Sequence, residues 1–261
     1  MNFDDVLASV ANGTLTIDST WGQGRAMFGG LVTALAFEGM QDVVSPGRPM
    51  RSLQVSFVGP VEADVPVAIE PELLREGKSV SQAQTRLVQN GETRLVALGS
   101  YGGSRESEAS VAAPVAPVVR GPDDCTSLPY MPGRSPEFTQ HIELRWALGS
   151  LPFTGNKDRE MGGWMRFRKP PEQIDDAQII ALVDAWPTAL LSHLSKPVPA
   201  SSLSWALDIM HPRPEIAPDE WLLYRATIDQ AGSGYGFVHA EIWNTKGELV
   251  ALSRQTVTVF G

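Results

Sequence analysis

GRAMFGGLVTALAFEGM (residues 24–40) is the stretch that decides the fold. Leu31, Ala34, Leu35 and Glu38 recur on helical spacing, and Glu38 is the only charge in LVTALAFEGM. A helix this apolar is wrapped on most of its sides rather than laid on a surface. An echo, LVDAWPTALLSHL, occupies residues 182–194, with LVTAL (31–35) and WPTAL (186–190) lying 155 positions apart. Two further pairs keep nearly that offset: SLQVSF (52–57) with SLSWAL (202–207), and LVAL (95–98) with LVAL (249–252). Their order is the same in both halves, which reads as one fold written twice and fused.

Outward from the first helix the period changes to two. SLQVSFV alternates Leu53, Val55 and Phe57, and VPVAIEPELL (65–74) and SQAQTRLVQ (81–89) follow as further strands. Asn90-Gly91 is the strongest hairpin signal in the chain, and ETRLVALGSY (92–101) closes the unit. TLTID (14–18) gives a strand before the helix. The second half offers strands at FTQHIELRWAL, WMRFRKP, SLSWALDIM, EWLLYRATID, GFVHAEIWN and ELVALSRQTVTVF. Its helical block, residues 173–194, contains Pro187, which predicts a kink or a helix that begins near Asp184. Between the halves the composition shifts to Pro, Ser, Gly and charge. The organisation expected is a unit at 1–104, a linker at 105–137 and a unit at 138–261.

Composition narrows the function. A net charge of −9 argues against nucleic acid and acidic membrane surfaces as main partners. No apolar run approaches the roughly 20 residues of a spanning helix, so no membrane insertion is expected. The single cysteine, Cys125, precludes an internal disulfide and fits a reducing, cytoplasmic compartment. MNFDDVLASV carries two acids and no basic cluster, unlike a secretory leader. The four histidines, His141, His193, His211 and His239, form no metal-ligand spacing, and neither a G-x-S-x-G elbow nor a phosphate loop is present. No cofactor or metal is expected.

MFGG at the first helix start, ELLREGKSVSQAQTRLVQNG in the first sheet, LVDAWPTAL, HPRP followed by DEWLLY, and GELVALSRQ together resemble the acyl-CoA thioesterase II group of the thioesterase-like superfamily. The resemblance implies an α+β double hotdog, two curved antiparallel sheets each wrapped round a central helix. It also implies hydrolysis of acyl-CoA to free acid and CoA. Matched position by position, the family's water-holding Asp, Thr/Ser and Gln fall on Asp184, Ser202 and Gln255. The chain departs from the family's pattern at Leu31, where Gln usually follows FGG, and at Ser204, where an acid is common.

The residues carry this chemistry on their own terms. Asp184 is the lone acid between Ala177 and Leu194, and a carboxylate there needs partners. Burial would raise its pKa, hydrogen bonds would lower it, and it could act as a general base toward water. Gly29 and Gly30 would offer backbone N–H groups to the thioester oxygen at the positive end of a helix. Blander readings stand beside these: Asp184 as a helix N-cap, Ser202 as a turn serine, Gln255 as an edge-strand residue, and the glycines as room for packing. The alternative function is a hotdog that binds acyl-CoA or another acyl ligand without hydrolysing it. Open sheet edges predict self-association into a homo-oligomer.

Overall fold

Alternation along the chain becomes one continuous antiparallel sheet in the computed structural model, which describes residues 1–260. The first half contributes α1 (Phe3–Ala8), β1 (Thr14–Leu15), β2 (Gly22–Gln23), β3 (Ala26–Met27), α2 (Gly29–Gln41), β4 (Met50–Phe57), β5 (Val67–Glu76), β6 (Val80–Gln89) and β7 (Glu92–Gly102). The second contributes β8 (Thr126–Leu128), β9 (Ile142–Leu148), β10 (Glu160–Phe167), α3 (Asp176–Val183), β11 (Ala200–Ile209), β12 (Leu222–Gly232), β13 (Tyr235–Trp243) and β14 (Leu249–Val259). Twelve strands lie in the order β1-β5-β6-β7-β4-β11-β14-β13-β12-β10-β9-β8, while β2 and β3 form a separate small ribbon.

The internal repeat is visible in that order. β5-β6-β7-β4 in one half mirrors β12-β13-β14-β11 in the other, and the halves meet where β4 pairs antiparallel with β11. SLQVSF and SLSWAL are therefore not only alike but hydrogen-bonded to each other, with Leu53 opposite Leu207 and Val55 opposite Trp205. The Asn90-Gly91 turn joins β6 to β7 with both residues at positive φ, as a tight hairpin of this type requires.

α2 is buried along almost its whole length because it has neighbours on two sides. It packs against β5, β6 and β7 of its own half and against α3 of the other. Gly30 permits the helix crossing: a Cβ there would stand 2.7 Å from the carbonyl oxygen of Ala181. Phe28 stacks on Phe138 across the halves, with ring centroids 4.1 Å apart. One hydrophobic core runs through both units.

Three local expectations are corrected. The strand at 14–18 shortens to Thr14–Leu15. The helical block of the second half does not begin near Asp184 but ends there, since the residue before a proline avoids helical backbone and Trp186 precedes Pro187. LVTAL and WPTAL consequently occupy different places: the first lies inside α2, the second follows the end of α3.

The stretch 105–137 is a strap rather than a free tether over much of its length. Trp243 Nε1 donates to the Pro114 carbonyl at 3.1 Å and Trp164 Nε1 to the Arg120 carbonyl at 2.8 Å. A second, smaller core of Trp164, Trp221, Leu223 and Trp243 lies apart from the main core in the second half of the sheet, with Ala116 and Val119 of the strap packed against it. β8 adds to the sheet edge beside β9. Among the described residues, no helix is long and apolar enough to cross a membrane.

Candidate active site

The carboxylate of Asp184 is delivered by the end of α3 to the start of α2. Asp184 is the C-cap residue of α3, and its Oδ2 would be 2.7 Å from a Cβ built on Gly29. Only a residue without a side chain allows that approach. The Gly30 backbone N–H donates to the same carboxylate. The N–H groups of the first helical turn lack intrahelical acceptors and lie at the positive end of the helix, so an anion is favoured there.

Two neutral side chains complete a chain of hydrogen bonds. Gln255 Nε2 donates to Asp184 Oδ1 at 2.7 Å, and Ser202 Oγ donates to Gln255 Oε1 at 3.3 Å. Gln255 lies on β14 between Ser253 and Val257, both buried, so strand alternation turns it inward. Ser202 reaches the same face by a different route. Trp205, Leu207 and Ile209 of β11 face the core, and unbroken alternation would turn Leu203 inward and Ser202 outward. A bulge between Ser202 and Ser204 shifts the register against β14. Ser202 then faces the site, and Leu203 is left 40% exposed.

Burial dominates the electrostatics of Asp184. It pushes the carboxyl up to about 7, against the lowering effect of the Gln255 and Gly30 hydrogen bonds. Asp184 is half-buried as a residue, and its carboxyl group is strongly desolvated. Its charge also acts on Tyr224, whose hydroxyl is held well above the usual phenol range by burial first and by Asp184 second.

A cluster of aromatic side chains begins beside Asp184, and the sequence does not single it out. Trp186, two residues past Asp184, stacks on Tyr224 with centroids 5.7 Å apart and tilts against Trp146 at 5.1 Å. Phe57, from β4 of the other half, comes within 3.3 Å of where a Gly29 Cβ would be. Nothing in the alternation of SLQVSF marks Phe57 as different from any other strand residue. The adjacency of Trp186 to Asp184 was the one signal available.

Other residues with reactive or charged side chains lie elsewhere. His193 Nε2 is bound to the Asp158 carbonyl at 2.9 Å. Arg75 and Lys78 are exposed around the β5–β6 turn, and Cys125, itself in the strap, is buried in the smaller core. Among the described residues, no group of three His, Cys, Asp or Glu side chains could hold a metal ion.

Comparison with known proteins points the same way. Residues 17–102 match the family model for the acyl-CoA thioesterase N-terminal domain, and residues 122–259 match that for the acyl-CoA thioesterase C-terminal domain. The chain is 23% identical to the acyl-CoA thioesterase 2 of Haemophilus influenzae, over 88% of this chain and 86% of that one. A conserved protein of unknown function with a hot dog fold from Alicyclobacillus acidocaldarius superposes with a TM-score of 0.81 at 24% identity, covering 95% of this chain and 92% of that one. An acyl-CoA thioesterase II, TesB2, from Mycobacterium marinum superposes with a TM-score of 0.75 at 24% identity and the same coverage. These structural likenesses establish the hot dog fold.

Proposed function

The chain belongs to the acyl-CoA thioesterase family and is a thioester hydrolase; we propose that it cleaves acyl-CoA with a water held by Asp184, Ser202 and Gln255. The observation that carries this reading is the 2.7 Å hydrogen bond from Gln255 Nε2 to Asp184 Oδ1, continued by Ser202 on the far side of the same amide. In this reading each half is one hotdog, its sheet wrapped round its own helix, with 105–137 as the connecting segment. The site lies where the helix of one half begins and the helix of the other ends.

Each group has a definite task. Gln255 spends its amide N–H on Oδ1 and its carbonyl on Ser202, which fixes the amide orientation and leaves Oδ2 to accept a proton from water. The water oxygen attacks the thioester carbon as its proton passes to Asp184. A carboxyl near 7 suits this task, because general bases work best when their pKa lies close to the working pH. Negative charge then develops on the carbonyl oxygen. Gly29 N–H, at the first position of α2, donates to it, and Gly30 N–H holds the carboxylate in the resting enzyme and lies beside the same oxygen. The C–S bond breaks, the proton on Asp184 moves to the leaving sulfur, and free acid and CoA result. The aromatic wall of Trp146, Trp186 and Tyr224 keeps the acyl end of the site dry.

The test is thiol release from a panel of acyl-CoAs of increasing chain length. Steady-state release of CoA with at least one member is expected. Saturable binding of acyl-CoA without any thiol release would favour a hotdog that binds acyl groups and does not turn them over.

A further inference from the structure

The aromatic cluster beside Asp184 carries three polar atoms, and each has a different fate. Trp146 Nε1 donates to the Gly149 carbonyl at 3.0 Å. Trp186 Nε1 has no partner and is sealed in the packing. The Tyr224 hydroxyl also has no hydrogen-bond partner among the described residues, yet it is not sealed. It keeps an open surface although the residue as a whole is only 7% exposed. Tyr101, the other buried tyrosine, differs in having its hydroxyl fully enclosed.

The strand brings this hydroxyl toward the site. Leu222, Tyr224, Ala226 and Ile228 of β12 face the main core, while Leu223 between them joins the smaller one. The Tyr224 ring lies within 4° of parallel to Trp186, which follows Asp184 by two residues. Its cross-strand neighbours are Ile242 on β13 and Gly163 on β10, and Gly163 places no side chain beside the ring. Asp184 is the charge that acts on the hydroxyl. The carboxylate itself is bonded by Gln255 and Gly30 and not by Tyr224. The two groups thus share a neighbourhood without bonding each other, which leaves room for a third between them.

We propose that Tyr224 selects acyl groups that carry a hydroxyl or oxo oxygen along the chain, with that oxygen accepting a hydrogen bond from the phenol. The proposal rests on the reading that acyl-CoA sits at Asp184 with its acyl chain along the aromatic wall. Burial and the charge of Asp184 keep the phenol protonated, so it offers a donor. A buried donor without an acceptor is costly, and an unsubstituted alkyl chain has no acceptor to give. The thioester oxygen is served by the N–H groups at the start of α2, in the other half of the chain, and does not need the phenol. A site built to bond a substrate oxygen discriminates against the analogue that lacks it.

The test is isothermal titration calorimetry on Asp184→Asn, which leaves the thioester intact, with hexanoyl-CoA, 3-hydroxyhexanoyl-CoA and 6-hydroxyhexanoyl-CoA. At least one hydroxylated ligand is expected to bind at least tenfold more tightly than hexanoyl-CoA. Adding Tyr224→Phe to the same background is expected to bring that ratio below twofold. Because the hydroxyl has no partner in the fold, Tyr224→Phe alone is expected to keep the wild-type midpoint in urea unfolding. Absence of saturable binding, equal affinity for all three ligands, a ratio that survives Tyr224→Phe, or a lowered urea midpoint would each overturn the proposal. Thiol release by the wild type is a separate readout, and its absence overturns the hydrolytic reading while leaving the binding ratios to stand.

Discussion

Gln255 Nε2 donates to Asp184 Oδ1 at 2.7 Å across 71 positions of sequence. This bond lowers the carboxyl pKa against the larger upward pull of burial, and the balance is about 7. The base must be ionised to accept a proton, so kcat/KM is expected to rise with pH through a midpoint near 7 and then level off. Gln255→Leu removes the lowering influence, and the midpoint is expected to move to higher pH. A pH–rate profile of the two proteins checks this; an unmoved midpoint would separate the amide from the base.

Ser202 acts through Gln255 and through the water. Ser202→Ala removes one hydrogen bond of a three-member chain, worth about 1.4 kcal/mol, so kcat is expected to fall about tenfold. Ser202→Thr retains the hydroxyl and is expected to recover most of the rate. Steady-state kinetics of the pair distinguishes this from a loss caused by volume alone.

The two glycines at the start of α2 are expected to fail differently. A Cβ on Gly30 meets the Ala181 backbone oxygen at 2.7 Å and the Phe28 ring at 2.5 Å, neither of which yields cheaply. Gly30→Ala should lose about 1–3 kcal/mol in urea unfolding. A Cβ on Gly29 meets chiefly Asp184 Oδ2, at 2.7 Å. Gly29→Ala should unfold nearly as the parent does and yet lose at least tenfold in kcat/KM.

Glu38 makes a separate contribution to the pH dependence of stability. Burial, with help from Asp175, Asp42 and Asp176, raises its carboxyl from 4.5 to about 7. A raised carboxyl means the folded protein holds its proton more tightly than the unfolded chain. The associated stability is present below about 4.5 and is lost as pH rises through 7. Glu38→Gln carries no ionisation to suppress, so its stability relative to wild type should increase between pH 5 and pH 8. Thermal unfolding at both pH values measures this; a constant difference would contradict it.

Much of this architecture was legible because strand alternation and the Asn90-Gly91 turn are local signals. SLQVSF and SLSWAL announced themselves as equivalents, and their direct pairing across the β4–β11 seam sets Val55 and Leu53 beside Trp205 and Leu207, which explains why both are apolar at alternate positions. The inward aim of Gln255 follows from Ser253 and Val257 in the same way. The inward aim of Ser202 does not. A bulge is one extra residue whose presence depends on the partner strand, so alternation counted from Trp205 assigns Ser202 to the wrong face. The echo of LVTAL in WPTAL misled for a related reason. Pro187 ends α3 before the matching letters begin, and Asp184 thereby becomes a helix terminus aimed at another helix terminus. Nor does composition reveal that Pro114 and Arg120 offer their carbonyls to two tryptophans, since a proline-rich stretch reads alike whether tethered or free.

The most direct measurement is acyl-CoA hydrolysis by Asp184→Asn beside the wild type, with acyl-CoA binding followed in the same preparations. Asn keeps the shape and cannot take the proton. A fall in kcat of about 10²- to 10⁴-fold with binding retained is the expected result. An unchanged kcat would contradict the assignment of Asp184 as the base.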